Sequence, residues 1–211
     1  MNSINENWQS ALSQLPLIAI LRGVTTTESI EVATVLIEKG FRCIEVPLNS
    51  PDALRTIEVL ATQFGQDVII GAGTVLSAES VIDVINVGST LVVAPNLSRQ
   101  VAQEALRHDC IYCPGVATPS EAFDAIGLGA SALKLFPAEM LSPTVIKAMR
   151  AVLPAQTLLL PVGGINPHNM GVYKQAGADG FGLGSGLYKP GKSISEIASD
   201  AVKYVVAWQQ L

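Results

Sequence analysis

A strand–helix alternation, repeated eight times, constrains this 211-residue chain more than any other feature. Short apolar runs over 17–22, 43–48, 68–71, 91–94, 111–113, 131–137, 158–162 and 180–183 read as buried strands. Between them, segments over 26–39, 51–64, 77–86, 98–107, 118–126, 143–153, 167–175 and 193–209 carry apolar residues at helical spacing. Thr26 or Thr27 is placed to cap the first of these, and Gly40, Gly88 and Gly177 to stop helices. A leading helix is expected within the first 15 residues, over 5–15. Such alternation implies a parallel sheet with crossover helices. Eight units imply an α/β chain closed into a (β/α)8 TIM barrel, one domain spanning residues 1–211 with a short N-terminal helix. A doubly wound open sheet is the alternative architecture. It needs fewer strands and a Gly-x-Gly-x-x-Gly after the first strand, which this chain lacks.

The composition suits buried parallel strands covered by helices, with 49% hydrophobic residues and few aromatics. A net charge of −5 without a basic stripe argues against a nucleic-acid partner. No apolar run approaches the ~18 residues of a membrane span. The polar start, with Glu6 and no basic-then-apolar pattern, argues against a secretory signal. Cys110 and Cys113 have a redox-like spacing, but on a strand residues three apart face opposite sides. With Cys43 they read as structural, reduced thiols, which fits a cytoplasmic location.

Barrel chemistry gathers at the C-terminal ends of strands. There the sequence places Arg22, Glu45 with Asn49 beyond it, Gly73-Thr74, Pro95-Asn96, Pro114-Gly115, Lys134, Val162-Gly163-Gly164 and Gly184-Ser185. Lys134 sits in Ser131-Ala132-Leu133-Lys134-Leu135-Phe136-Pro137, an otherwise apolar strand. Burial makes an ammonium costly and lowers its pKa, which frees the amine as a nucleophile. Glu45 is equally isolated in Cys43-Ile44-Glu45-Val46-Pro47. The pair reads either as a structural ion pair or as a nucleophile with a proton-moving carboxylate. Arg22 at the same mouth favours the second reading, since a nearby cation further depresses a lysine pKa.

The loops carrying Gly163-Gly164 and Gly182-Leu183-Gly184-Ser185-Gly186 follow the last two strands. In barrels these loops, with a helix N-terminus, often cradle phosphate. His108 and His168 have no partner at ligand spacing, so no metal site is expected.

Taken in order, Leu21-Arg22-Gly23, Glu45-Val46-Pro47-Leu48, Gly71-Ala72-Gly73-Thr74-Val75, Leu133-Lys134-Leu135-Phe136-Pro137-Ala138-Glu139, Val162-Gly163-Gly164-Ile165 and Gly184-Ser185 resemble a known family. These motifs identify the chain with the class I 2-keto-3-deoxy-6-phosphogluconate and -phosphogalactonate aldolases. The resemblance implies that Lys134 forms a Schiff base with the substrate's C2 ketone and that Glu45 is the general base. It implies that Arg22 and Thr74 hold the substrate carboxylate, and that Gly163, Gly164, Gly184 and Ser185 cradle the phosphate. The implied partners are a phosphorylated 2-keto-3-deoxy sugar acid and pyruvate, with D-glyceraldehyde 3-phosphate as second product. No metal or organic cofactor is implied, and the family is typically homotrimeric.

Two departures bear on specificity. Phosphogluconate enzymes resemble this chain but usually carry Thr-Leu-Arg where it has Pro47-Leu48-Asn49, and a threonine where it has Val162. Asn49 and Val162 look like the phosphogalactonate branch. The two substrates are epimers at C4, and loss of a hydroxyl donor near that carbon can discriminate between them. The absent arginine leaves Arg22 as the only strand-end guanidinium for the carboxylate. The phosphogluconate or dual-specificity reading stays open, as do a sugar-phosphate isomerase and a catalytically idle barrel.

Overall fold

The computed structural model describes residues 3–211; Met1 and Asn2, part of the expected single domain, lie outside the described residues. The leading helix is α1 (Ser3–Gln14). The alternation then runs β1 (Leu17–Ile20), α2 (Thr26–Glu38), β2 (Cys43–Pro47), α3 (Ala53–Phe64), β3 (Ile69–Gly73), α4 (Ala78–Asn86), β4 (Leu91–Val93) and α5 (Arg99–Arg107). It continues through β5 (Ile111–Cys113), β6 (Gly115–Val116), α6 (Pro119–Gly127), β7 (Leu133–Leu135) and α7 (Pro143–Val152). It ends with β8 (Leu159–Pro161), α8 (Met170–Gln175), β9 (Phe181–Leu183) and α9 (Ile194–Gln209). Local chemistry sets the helix starts. The Glu121 and Glu196 side chains reach back to the N–H groups of Thr118 and Ser193, whose hydroxyls cap α6 and α9. The start of α2 is set by Thr25 rather than Thr26 or Thr27, because Glu28 accepts from the Thr25 N–H at 2.9 Å.

All strand pairings are parallel, and they form an α/β sheet in two sections. One section has the order β5-β4-β3-β2-β1-β9 and the other β6-β7-β8. The fifth expected strand is split at Pro114, between β5 and β6. Proline has no N–H to continue the ladder, so pairing with β4 ends before it and pairing with β7 begins after it. The Pro114 carbonyl still accepts from Lys134 N at 3.0 Å. At the other seam, Val162 just past β8 bridges to Gly182 in β9.

The alternation of side chains along the strands divides the interior into two apolar clusters. Leu17, Ala19, Ile44, Val46, Ile70, Ala72, Val92, Tyr112, Leu133, Leu159 and Phe181 pack outward against the helices. Ile18, Cys43, Ile69, Leu91, Ile111, Cys113, Ala132 and Leu160 pack on the opposite, concave face. Trp8 and Ala11 of α1 join this second cluster, so the leading helix closes its base. Cys110 belongs to the outer cluster and Cys113 to the inner one, as expected from strand parity. All three cysteines are free and buried.

Candidate active site

Glu45 is two residues beyond Cys43 and Lys134 two beyond Ala132, so both side chains continue the inner face toward the C-terminal ends of the strands. Glu45 is only 2% exposed and Lys134 6%. Together with Cys113, Val162, Ile20 and Gly182 they line one narrow cavity. Among the described residues no hydrogen bond or ion pair joins them, and Glu45 Oε2 is buried without any partner. Burial pushes the Glu45 carboxyl up to about 7, against the opposing pull of Lys134 and Arg22. Burial lowers the Lys134 pKa, against Glu45, and Arg22 lowers it further. The Lys134 Nζ lies 4.8 Å from the Phe136 ring centroid. The result is an amine that gives up its proton more readily than a free lysine and a carboxyl raised to about 7, lining the same space.

Gly73, at the end of β3, makes the space that Glu45 occupies. A Cβ there would collide with both oxygens of the Glu45 carboxylate. The sequence pattern marked Gly73 only as a strand end. Thr74 follows it with φ +56°, a left-handed conformation rare for a β-branched residue. Its hydroxyl and N–H donate to no protein acceptor among the described residues. Strain of this kind concentrates at functional sites.

Arg22 leaves the end of the first strand unit as an exposed side chain. Its Nη1 donates to Asn49 Oδ1 at 2.6 Å, so two residues singled out separately from the sequence meet directly.

The glycine loops lie beyond β8 and β9. Gly163 and Gly164 have φ +110° and +63°. The Glu139 carboxylate lies across both, and a Cβ at either position would meet it. Glu139 is exposed and has no hydrogen bond or ion pair among the described residues. In the second loop nothing lies within 4 Å of the position a Gly184 side chain would take. The N–H groups of Gly164, Gly184 and Ser185 donate to no protein acceptor among the described residues. The helix expected to open at residue 167 beside these loops does not start there. Helix α8 starts at Met170, later than the expected 167, and runs only six residues. Asn166 Oδ1 accepts from the N–H groups of His168 and Asn169, and Asn169 Oδ1 accepts from Asn166 N, so this turn closes on itself.

His108 pairs with Glu104 at 3.2 Å and His168 is exposed. Among the described residues no group of three or more His, Cys, Asp or Glu side chains is placed to hold a metal ion. Among the same residues no helix is long and apolar enough to cross a membrane.

Comparison with known proteins places this geometry. The sequence model described as "Aldolase: KDPG and KHG aldolase" matches residues 8–204. A 2-dehydro-3-deoxy-6-phosphogalactonate aldolase of Escherichia coli (strain K12) is 41% identical over 203 residues, 96% of this chain and 98% of that protein. A probable 2-dehydro-3-deoxy-6-phosphogalactonate aldolase of Rhizobium meliloti (strain 1021) is 45% identical over 92% of this chain and 91% of its own. A solved structure titled "Native KDPGal structure" superposes with a TM-score of 0.92 at 42% identity, covering 93% of this chain and 96% of that one.

Proposed function

The chain belongs to the KDPG and KHG aldolase family, and from that membership we propose that it cleaves 2-dehydro-3-deoxy-6-phosphogalactonate to pyruvate and D-glyceraldehyde 3-phosphate. The observation that carries the proposal is the Lys134–Glu45 pair, buried in one cavity yet joined by no direct bond. A structural ion pair would be closed on itself. This one leaves an amine and a carboxyl free to act on a third group.

In this reading the neutral Lys134 amine attacks the C2 ketone to give a carbinolamine, which loses water to an iminium. Glu45 takes the C4 hydroxyl proton as the C3–C4 bond breaks. The electron pair of that bond passes into the enamine, and the aldehyde departs. Glu45 returns the proton to C3, and water releases pyruvate and regenerates the amine. A carboxyl near pH 7 suits both the base and the acid step. The iminium is the electron sink, so the chemistry calls on no metal or organic cofactor. Arg22 and Thr74 hold the substrate carboxylate, and the free N–H groups of Gly164, Gly184 and Ser185, with Gly163, receive the phosphate.

Epimer choice follows from Val162, which lines the cavity beside Glu45 without a hydroxyl to offer the C4 oxygen. The chain is further read as one domain whose two sheet sections close into an eight-unit barrel. The Pro114–Lys134 hydrogen bond and the Val162–Gly182 bridge support closure at its two seams. A homotrimer in the cytoplasm completes the proposal. The test is kcat/KM on the two C4-epimeric phosphates, with borohydride trapping of pyruvate. The galactonate epimer is expected to be preferred, with an adduct on Lys134. Preference for the gluconate epimer would overturn the substrate assignment, and absence of an adduct would overturn the imine chemistry.

A further inference from the structure

The Arg22 guanidinium is exposed, yet the backbone beneath it is tightly held. Val24 N donates to Leu21 O at 3.2 Å, closing a turn with Arg22 and Gly23 at its centre. Gly23 has φ +82°, the value a type II turn demands of its third residue. A Cβ at Gly23 would also meet Pro190 at 2.8 Å, so the turn is wedged against the loop after β9. From the other side, Gly23 N donates to Ser50 Oγ at 2.9 Å. Ser50 is only 8% exposed, and its own N–H donates to Pro47 O at 2.9 Å. The neighbouring Asn49 accepts from Arg22 Nη1 at 2.6 Å. Two adjacent residues of the loop after β2 therefore grip the turn after β1, one by its backbone and one by its guanidinium.

We propose that Asn49 and Ser50 form a two-point clamp that fixes the Arg22 guanidinium and so sets where the substrate carboxylate is held. This rests on the aldolase reading and deepens it. Among the described residues the Ser50 hydroxyl has no other hydrogen-bond partner, and its acceptor role requires only an oxygen there. An arginine side chain left free loses rotamer entropy when it binds an anion. Holding it beforehand removes part of that cost from the binding step. Asn49 uses one of the five guanidinium N–H donors and leaves the others for a carboxylate. Asn49 thus acts on substrate choice through Arg22, and Ser50 acts one step further back. Both are positioning residues.

The test uses the full chain and two readouts. One is the pyruvate concentration that half-saturates borohydride trapping at Lys134. The other is kcat and KM on the phosphorylated keto acid. Ser50→Ala and Asn49→Ala are each expected to raise the half-saturating pyruvate concentration about tenfold, the loss of one hydrogen bond to a charged or turn-fixing group. The trapping rate at saturation and kcat stay within about twofold, because neither residue touches the reacting atoms. Ser50→Thr, which keeps the oxygen, restores most of the loss. In an Arg22→Ala background, Ser50→Ala adds nothing further, as expected of residues acting through one group. The clamp is overturned if both single variants leave half-saturation unchanged, or if the Ser50 and Arg22 effects multiply. Should Ser50→Ala fail to fold, the exposed Asn49→Ala decides by the same readout. No adduct in the wild type would instead overturn the aldolase reading, and the clamp with it.

Discussion

The carboxylate of Glu45 lies against the bare Cα of Gly73, on the neighbouring strand and two register positions further along. The catalytic reading of Glu45 depends on this contact. A carboxyl at that depth needs volume as well as the right neighbours, and β3 supplies it by carrying no side chain at that inward position. Oε2, the oxygen nearest Gly73, is buried without a protein partner among the described residues.

Gly73→Ala therefore displaces the Glu45 carboxylate while leaving Lys134 untouched. The expected result is a fall in kcat of about a hundredfold or more, the usual worth of a positioned general base. Pyruvate is still trapped on Lys134 by borohydride, at a reduced rate. Mass spectrometry of the trapped protein checks this. A variant with normal kcat would show that Glu45 needs no such space.

The raised Glu45 pKa predicts a pH signature in stability. In the unfolded chain the carboxyl titrates near 4.5, and in the folded protein near 7. Between these values the folded state holds the proton more firmly, so stability falls as pH rises from 4.5 to 7. The loss, fully developed above the folded value, amounts to about 3 kcal/mol. Glu45→Gln removes it. The variant is expected to gain on the wild type in Tm between pH 5 and pH 8, with no such gain at the acid end, and to be inactive throughout. Parallel melting curves with no pH-dependent gap would contradict a strongly raised Glu45.

The sequence exposed Lys134 and Glu45 because a lone charge in an apolar strand stands out wherever the strand pairs. The repeat of strands and helices was equally legible, since it is local. What could not be read was juxtaposition across strands. Gly73 carried no mark of the carboxylate beside it, and Ser50 no mark of the turn it holds from another loop. The closure of the cavity base by Trp8 depends on where α1 docks, which no local pattern records. Pro114 had the signal for a break in the ladder, but the break matters only once both neighbours are known. Asn166 and Asn169 could have been read as turn formers that close their own N–H groups, which removes the helix from the proposed phosphate cradle.

Arg150 offers a test of the fold that leaves chemistry aside. From α7 it donates to the carbonyls of Gly177 and Thr157 and pairs with Asp179 at 2.5 Å. Asp179 in turn accepts from Leu159 N at 2.8 Å, at the start of β8. Arg150→Ala takes the guanidinium donors from half-buried carbonyls and leaves the Asp179 carboxylate with only its Leu159 N–H bond. A loss of about 2 kcal/mol in denaturant unfolding is expected, discounted for partial exposure of the pair. KM and kcat at a temperature well below the transition stay unchanged, because the side chain lies at the opposite ends of the strands from the cavity. Lys at this position restores little, since it lacks the fork that reaches several acceptors.

Glu139 raises a separate electrostatic question. Its carboxylate lies over Gly163 and Gly164, where the substrate phosphate is proposed to bind, and no cation neutralises it among the described residues. Two like charges about 4 Å apart in a watery setting repel by ~1 kcal/mol. Glu139→Gln keeps the shape that the two glycines accommodate and removes the charge. KM for the phosphorylated substrate is therefore expected to fall about fivefold at low salt, and the gap to the wild type narrows as ionic strength rises. Pyruvate, which has no phosphate, reports the control: its half-saturation in borohydride trapping stays the same in both proteins. If the variant instead raises KM, Glu139 holds the loop in shape and its charge is not the quantity that matters. If pyruvate and the phosphorylated substrate shift together, the carboxylate acts on the Lys134 end of the site and the phosphate lies elsewhere.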